Sequence, residues 1–313
     1  MNSPHTKRNN FWIITILASL VSIGLIVWGL VSFASPFLKT ASNAIKQATW
    51  QSADPGKSHI EKFEIPFGQG KRKMRVYIPA NYDTEKEKTY PTLYLLHGKG
   101  GDETDWLEQG DAQKTLDTAI ENGAIEPLIV IFPDGNGSKT HHTQYINSAD
   151  GSELNEDLIY KDLVHLIDTK YRTKEDSKFR AIGGNSAGGF GALNIGLKHQ
   201  DVFGEIMSFS GYGHLLTYSS PSLIQGSQKV IASNSPLTYL SSIKQHAVSI
   251  WMTIGKSDSS AFIEDHIQLE KALDKVHIEN TITFVDGAHD WNFWTSYLPE
   301  GLEWLGEKWK SAE

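Results

Sequence analysis

From residue 58 onward, short apolar runs alternate with segments of helical period. Ile60–Phe67 and Lys73–Pro79 have strand character, and the Gly68-Gln69-Gly70 turn signal between them predicts a hairpin. Leu93–Leu96, Leu128–Phe132, Phe179–Ile182, Ile206–Phe209, Val248–Ile254 and Thr281–Val285 are apolar runs of the kind buried in parallel sheets. Between them, Asp111–Asn122 closes on Gly123 as a helix should. Asn155–Tyr171 places Leu158, Leu163, Leu166 and Ile167 on one side, and Gly189–Leu197 and Ala261–Val276 are also helical. Strand and helix in alternation predict an α/β fold, with a mostly parallel central sheet and helices on both faces. Ligand chemistry in such a sheet is expected at the carboxyl ends of the strands.

The first residues break this pattern. Phe11–Leu38 carries no charge, is rich in Ile, Leu, Val and Trp, and follows Lys7 and Arg8. A bilayer-spanning helix needs about 20 apolar residues, whereas a signal-peptide core needs roughly 7–15. The length therefore predicts a transmembrane helix over residues 11–38, behind a short tail of residues 1–10. Ser32-Phe33-Ala34 offers a small-x-small site at which a long secretory signal would be cut, releasing a secreted protein. Lys39 and Lys46 nearly balance Lys7 and Arg8, so the expected single-pass orientation, with the domain outside the cell membrane, rests on the ease of retaining a short tail. Polar residues 39–57 read as a linker, and residues 58–313 as a single domain.

Composition narrows the chemistry. The chain has 313 residues, a formal net charge of −8 and no cysteine. The negative charge argues against a nucleic-acid partner. The absence of cysteine excludes disulfides, thiolate metal sites and a cysteine nucleophile.

Gly184-Asn185-Ser186-Ala187-Gly188 reads G-x-S-x-G between a strand and a helix. That arrangement describes a nucleophile elbow, in which a tight turn pushes a serine hydroxyl out of the sheet. A serine hydroxyl needs a base, and the base an orienting acid, in the chain order Ser, acid, His. His289 follows the last strand after small residues and is the expected base; His214 is the rival, but it precedes the acid candidate. Asp258, in the turn after Val248–Ile254, is the expected acid. Glu264 and Asp265 read as helix-end charges, Asp286 as a turn residue, and Asp290 as pointing away from the histidine. The Ala187 N–H would donate to an oxyanion. A second donor is expected from Leu96-His97-Gly98-Lys99-Gly100-Gly101, at Lys99 or its neighbour Gly100. Gly98, Gly100, Trp106, Trp291 and Trp294 are candidate substrate-binding residues.

Tyr94-Leu95-Leu96-His97-Gly98, Pro133-Asp134-Gly135, Tyr171-Arg172-Thr173, the Gly184–Gly191 elbow and Gly287-Ala288-His289-Asp290-Trp291 through Trp294 resemble the Putative esterase family, in order from about residue 59 to 305. That family includes S-formylglutathione hydrolases, tributyrin, feruloyl, acetylxylan and enterochelin esterases, and mycolyltransferases. The resemblance implies an α/β-hydrolase with Ser186 as nucleophile, Asp258 as acid, His289 as base and the Lys99 and Ala187 amides as oxyanion donors. Ala187 stands where members often carry methionine. The cysteine-containing glutathione-thioester branch is not matched, and the N-terminal apolar segment departs from the cytosolic members.

His141-His142 has no carboxylate cluster at ligand spacing and reads as a solvated loop, so no metal or cofactor is expected. Asp150–Asp157 lacks the order of a calcium loop, and its carboxylates are expected to cap the following helix. The expected activity is that of a serine carboxylesterase acting on a small-molecule or polysaccharide-linked ester. Acyl transfer to a cell-envelope sugar or lipid, and a non-catalytic binding protein on a hydrolase scaffold, are the alternatives.

Overall fold

The computed structural model describes residues 56–67, 70–243 and 247–313. The segment expected to span a membrane, residues 11–38, lies outside them, as do the tail and nearly all of the linker. Among the described residues, no helix is long and apolar enough to cross a membrane.

Eight strands form one sheet: β1 (His59–Phe67), β2 (Gly70–Ile78), β3 (Thr92–Leu96), β4 (Ile129–Pro133), β5 (Arg180–Asn185), β6 (Glu205–Phe209), β7 (Ser249–Gly255) and β8 (Glu279–Val285). Their lateral order is β1-β2-β4-β3-β5-β6-β7-β8. β1 and β2 pair antiparallel, as do β2 and β4, and every later pairing is parallel. Edge strand β1 alternates exposed Lys62 and Glu64 with buried Phe63 and Ile65, while β3 to β6 are buried throughout. The sequence shows the same contrast between alternating and continuous apolar runs.

The main helices are α1 (Ala112–Glu121), α2 (Val164–Lys170), α3 (Ala187–Lys198), α4 (Ser260–Lys275) and α5 (Trp291–Ala312). On one face Leu93, Leu95, Met207 and Trp251 meet Leu116 of α1 and Leu298, Leu305 and Trp309 of α5. On the other face α3 packs on β5 and β6, and its Phe190 joins Tyr212, Leu223 and Ile224.

Two expectations need correction. The helix over 155–171 is interrupted: Leu158–Leu163 forms a π-helical stretch between Asn155–Asp157 and α2. Its first amides are capped by Asn147, whose Oδ1 accepts from the N–H groups of Glu156 and Asp157 at 2.9 and 3.3 Å. Asp150 instead accepts from Ser148 and Ser152 and pairs with Lys139. Neutral Asn147 reaches the helix start from an adjacent bridge, so a local carboxylate is not needed there.

Register sets the site. Leu96 lies beside Gly184, Asn185 beside Phe209, Phe209 beside Thr253, and Gly255 beside Val285. The chain therefore leaves β3, β5, β6, β7 and β8 along one edge, where the loops carrying residues 97–101, 186, 210, 256–258 and 286–289 begin.

Candidate active site

Ser186 follows β5 immediately and adopts φ 53°, ψ −115°, a conformation disfavoured for any residue with a Cβ. Its N–H donates to the Phe209 carbonyl at 2.8 Å, and α3 starts at the next residue. The turn requires glycine two positions to either side of the serine. A Cβ on Gly184 would lie 2.6 Å from the Gly188 carbonyl carbon, and one on Gly188 would lie 2.3 Å from the Leu96 oxygen. These approaches are to backbone, so no side-chain rotation relieves them.

The Ser186 hydroxyl lies 2.8 Å from His289 Nε2, and His289 Nδ1 lies 2.8 Å from Asp258 Oδ2. Asp258 is an acceptor here, so Nδ1 carries the proton and Nε2 accepts from the serine. The Asp258 side chain is 0% exposed, while that of His289 is 31% exposed to the cleft. Burial alone would push the Asp258 carboxyl up. Hydrogen bonding and charge from His289, with help from the Ser210 hydroxyl and the Ser259 N–H, hold it below its ordinary value.

The rival assignments lie elsewhere. His214 Nδ1 pairs with Asp265 at 3.0 Å, Asp286 pairs with Lys256, and Asp290 accepts from the Phe293 N–H as the cap of α5.

As the first residue of α3, Ala187 has an N–H with no acceptor inside the helix. Among the described residues the Lys99 N–H likewise has no acceptor. Both residues line the cleft with Ser186. Buried His97 donates from Nδ1 to the Gly98 carbonyl and accepts the Gly135 N–H at Nε2, each at 2.8 Å. Burial lowers its pKa, which keeps the ring neutral in the tautomer this bridge requires. Tyr145 O–H donates to the His97 carbonyl, and Asn136 Nδ2 to that of Gly101. The loop after β3 is thus tied to the loop after β4 at several points.

The cleft has a volume of about 520 Å³. Gly98, Trp291 and Trp294 line it, as does Asp105. Trp294 lies edge-on to the His289 ring at 5.2 Å. Gly100 is not among the lining residues; its φ of 81° serves the turn behind Lys99. Trp106 is not a cleft residue either. It is 1% exposed, packs edge-on against Trp291, and donates its indole N–H to the Leu96 carbonyl.

Sequence reasoning missed a wall of the cleft formed by His142, Gln144, Tyr212, Leu216, Tyr218 and Phe262. His142 belongs to this wall, whereas His141 is the exposed member of the pair. Burial, and then the charge of Lys99, lower the His142 pKa. Among the described residues no group of three or more His, Cys, Asp or Glu could hold a metal ion. The arrangement instead offers a hydroxyl with a base against it, a carboxylate behind the base and two amides at its side.

The Putative esterase family matches residues 67–305. The chain belongs to this family. A Xylanibacter ruminicola endo-1,4-beta-xylanase/feruloyl esterase is 33% identical over 162 residues, covering 51% of this esterase-family chain and 20% of that protein. This chain therefore spans about a fifth of the length of that relative. An acetyl esterase of Caldicellulosiruptor saccharolyticus is 26% identical over 247 residues, covering 72% of this chain and 85% of that one. A solved ferulic acid esterase superposes with a TM-score of 0.71 at 25% identity, covering 81% of this chain and 99% of its own.

Proposed function

We propose that this protein is a serine carboxylesterase. The carrying observation is the continuous contact from Ser186 Oγ through the His289 ring to Asp258, at 2.8 Å on each side. His289 Nε2 takes the hydroxyl proton as Oγ attacks the ester carbonyl carbon. The Lys99 and Ala187 amides receive the oxyanion of the tetrahedral intermediate. Its collapse breaks the bond to the alcohol oxygen, which takes the proton from His289 and leaves an acyl-Ser186. Water, deprotonated by His289, attacks the acyl carbon; Oγ recovers the proton, and the carboxylic acid departs. The buried charge of Asp258 stabilises the imidazolium in both halves. Family membership and the named acetyl and feruloyl esterases among its relatives support this reading.

A panel of short-chain 4-nitrophenyl esters, with fluorophosphonate labelling, tests it. Wild type is expected to hydrolyse the panel and to label at Ser186. Absence of turnover across the panel, or labelling that survives Ser186→Ala, would sink the assignment. Residues 11–38 are proposed to anchor the enzyme in the cell membrane. Membrane fractionation and the intact mass of the recovered protein test the anchor against cleavage after Ala34.

A further inference from the structure

The loop after β4 carries successive residues at positive φ that are not glycine: Gln144 at 49° and Tyr145 at 58°. Such conformations are disfavoured for residues with a Cβ and persist only where the surroundings enforce them. Gln144 is 2% exposed yet contributes to the wall of the cleft. Its amide is used at both ends. Nε2 donates to the Leu216 carbonyl and to Ser220 Oγ, each at 2.9 Å. Oε1 accepts from the Tyr212 hydroxyl at 2.8 Å and from the Leu216 N–H at 3.1 Å. Ser220 Oγ also donates to the His142 carbonyl, closing a second link between the same two loops.

The segment gripped in this way, residues 212–220, supplies Tyr212, Leu216, Tyr218 and Ser219 to the cleft. Tyr218 itself is 73% exposed, while Leu215 is buried and Leu216 packs against the Phe190–Tyr212 cluster, so the exposed end of the wall depends on where Leu216 is held. Ser186, His289, Asp258 and the two amides stand on other elements, at the ends of β3, β5, β7 and β8.

We propose that Gln144 is a positioning residue for substrate selection. Resting on the esterase reading above, it clasps the Leu216–Tyr218 segment in place as a fixed wall that limits the size of acyl group the cleft accepts. The Leu216 contacts matter most, because the amide of one side chain takes both the N–H and the C=O of that residue. A wall fixed by backbone contacts discriminates by size; a loosened one admits longer chains.

The test compares kcat/KM for 4-nitrophenyl acetate and 4-nitrophenyl octanoate in wild type, Gln144→Met and Gln144→Glu. The acetate-to-octanoate ratio is expected to fall about fivefold in Gln144→Met, the equivalent of one net hydrogen bond. KM for the octanoate should change by more than kcat does. Gln144→Glu keeps the side-chain length and both accepted bonds but loses both donated bonds and faces the Leu216 carbonyl with an oxygen, so it should shift the ratio in the same direction, and it is the second variant if Gln144→Met folds poorly. A purely structural role would lower both activities together. A ratio that stays at the wild-type value or rises therefore overturns the proposal. If wild type hydrolyses neither ester, the esterase reading fails and the clasp is judged by hydrogen exchange at the Leu216 amide. Exchange must accelerate in Gln144→Met, and an unchanged rate overturns the clasp as well.

Discussion

Trp106 donates its indole N–H to the Leu96 carbonyl at 2.9 Å, and that same oxygen is the atom a Cβ on Gly188 would approach to 2.3 Å. The end of β3 is therefore held from one side by a core tryptophan and pressed from the other by the elbow. Gly188→Ala must displace either the elbow or the loop bearing Lys99. It should cost roughly 1–3 kcal/mol of stability and slow fluorophosphonate labelling even under conditions where the variant is fully folded. Trp106→Phe leaves Leu96 without this donor and a void beside Phe209 and Trp291, so it should cost at least about 1–3 kcal/mol. Urea unfolding of both variants beside wild type checks these figures.

Asp258→Asn leaves shape and burial nearly unchanged but removes the charge behind His289. By analogy with a triad acid replaced by its amide in a serine protease, kcat should fall by about 10⁴-fold with little change in KM. The carboxyl is held below its ordinary value, chiefly by His289 acting against the opposing effect of burial. A depressed folded-state pKa contributes stability above the unfolded value that disappears as pH falls through the folded one. Wild type should therefore lose stability relative to the Asn variant in the acid range below the ordinary aspartate pKa. Steady-state kinetics and urea midpoints across pH read the two effects separately.

Much of this site was legible because its members follow strands. Ser186, Asp258 and His289 each stand just past an apolar run, and parallel register brings such positions to one edge. Trp106 was misplaced because a tryptophan near a glycine loop fits a cleft lining and a core residue equally well in sequence. What decides is a hydrogen bond to a backbone carbonyl, which leaves no sequence signal. Gln144 was illegible for a related reason: residues 134–154 have no period, and its partners lie 68 to 76 positions away. Helix α5 did carry a signal in the spacing of Trp294, Leu298, Leu302, Leu305 and Trp309, but Pro299 sits inside it. Proline normally argues against a helix interior, and here the packing of that apolar stripe against the sheet outweighs it.

The backbone of Ser186 separates strain from chemistry. At φ 53°, ψ −115° a side chain is disfavoured whatever its identity, whereas glycine has no Cβ to oppose the conformation. Ser186→Gly and Ser186→Ala should both be inactive, but the glycine variant should be the more stable by about 1 kcal/mol. Equal urea midpoints for the two would mean that the turn stores no strain of this kind.

A carboxyl remote from the cleft sets a different pH dependence. Glu205, at the start of β6, is 6% exposed. Burial pushes its pKa up to about 8, and the Trp309 N–H at 3.3 Å and the charge of Lys308 only partly oppose this. In the unfolded chain the same group ionises near 4.5. Between these values the folded protein holds a proton that the unfolded chain has released, so stability falls as pH rises through the window and levels off above it. The slope from one such group approaches about 1.4 kcal/mol per pH unit, giving a total on the order of a few kcal/mol. Glu205→Gln keeps the acceptor for Trp309 and removes the titration. Its urea midpoint should change less than that of wild type between pH 5 and about pH 8, with the variant the more stable at the upper end. Parallel pH profiles for the two proteins would show that Glu205 stays ionised in the fold and that its burial is relieved by some other contact.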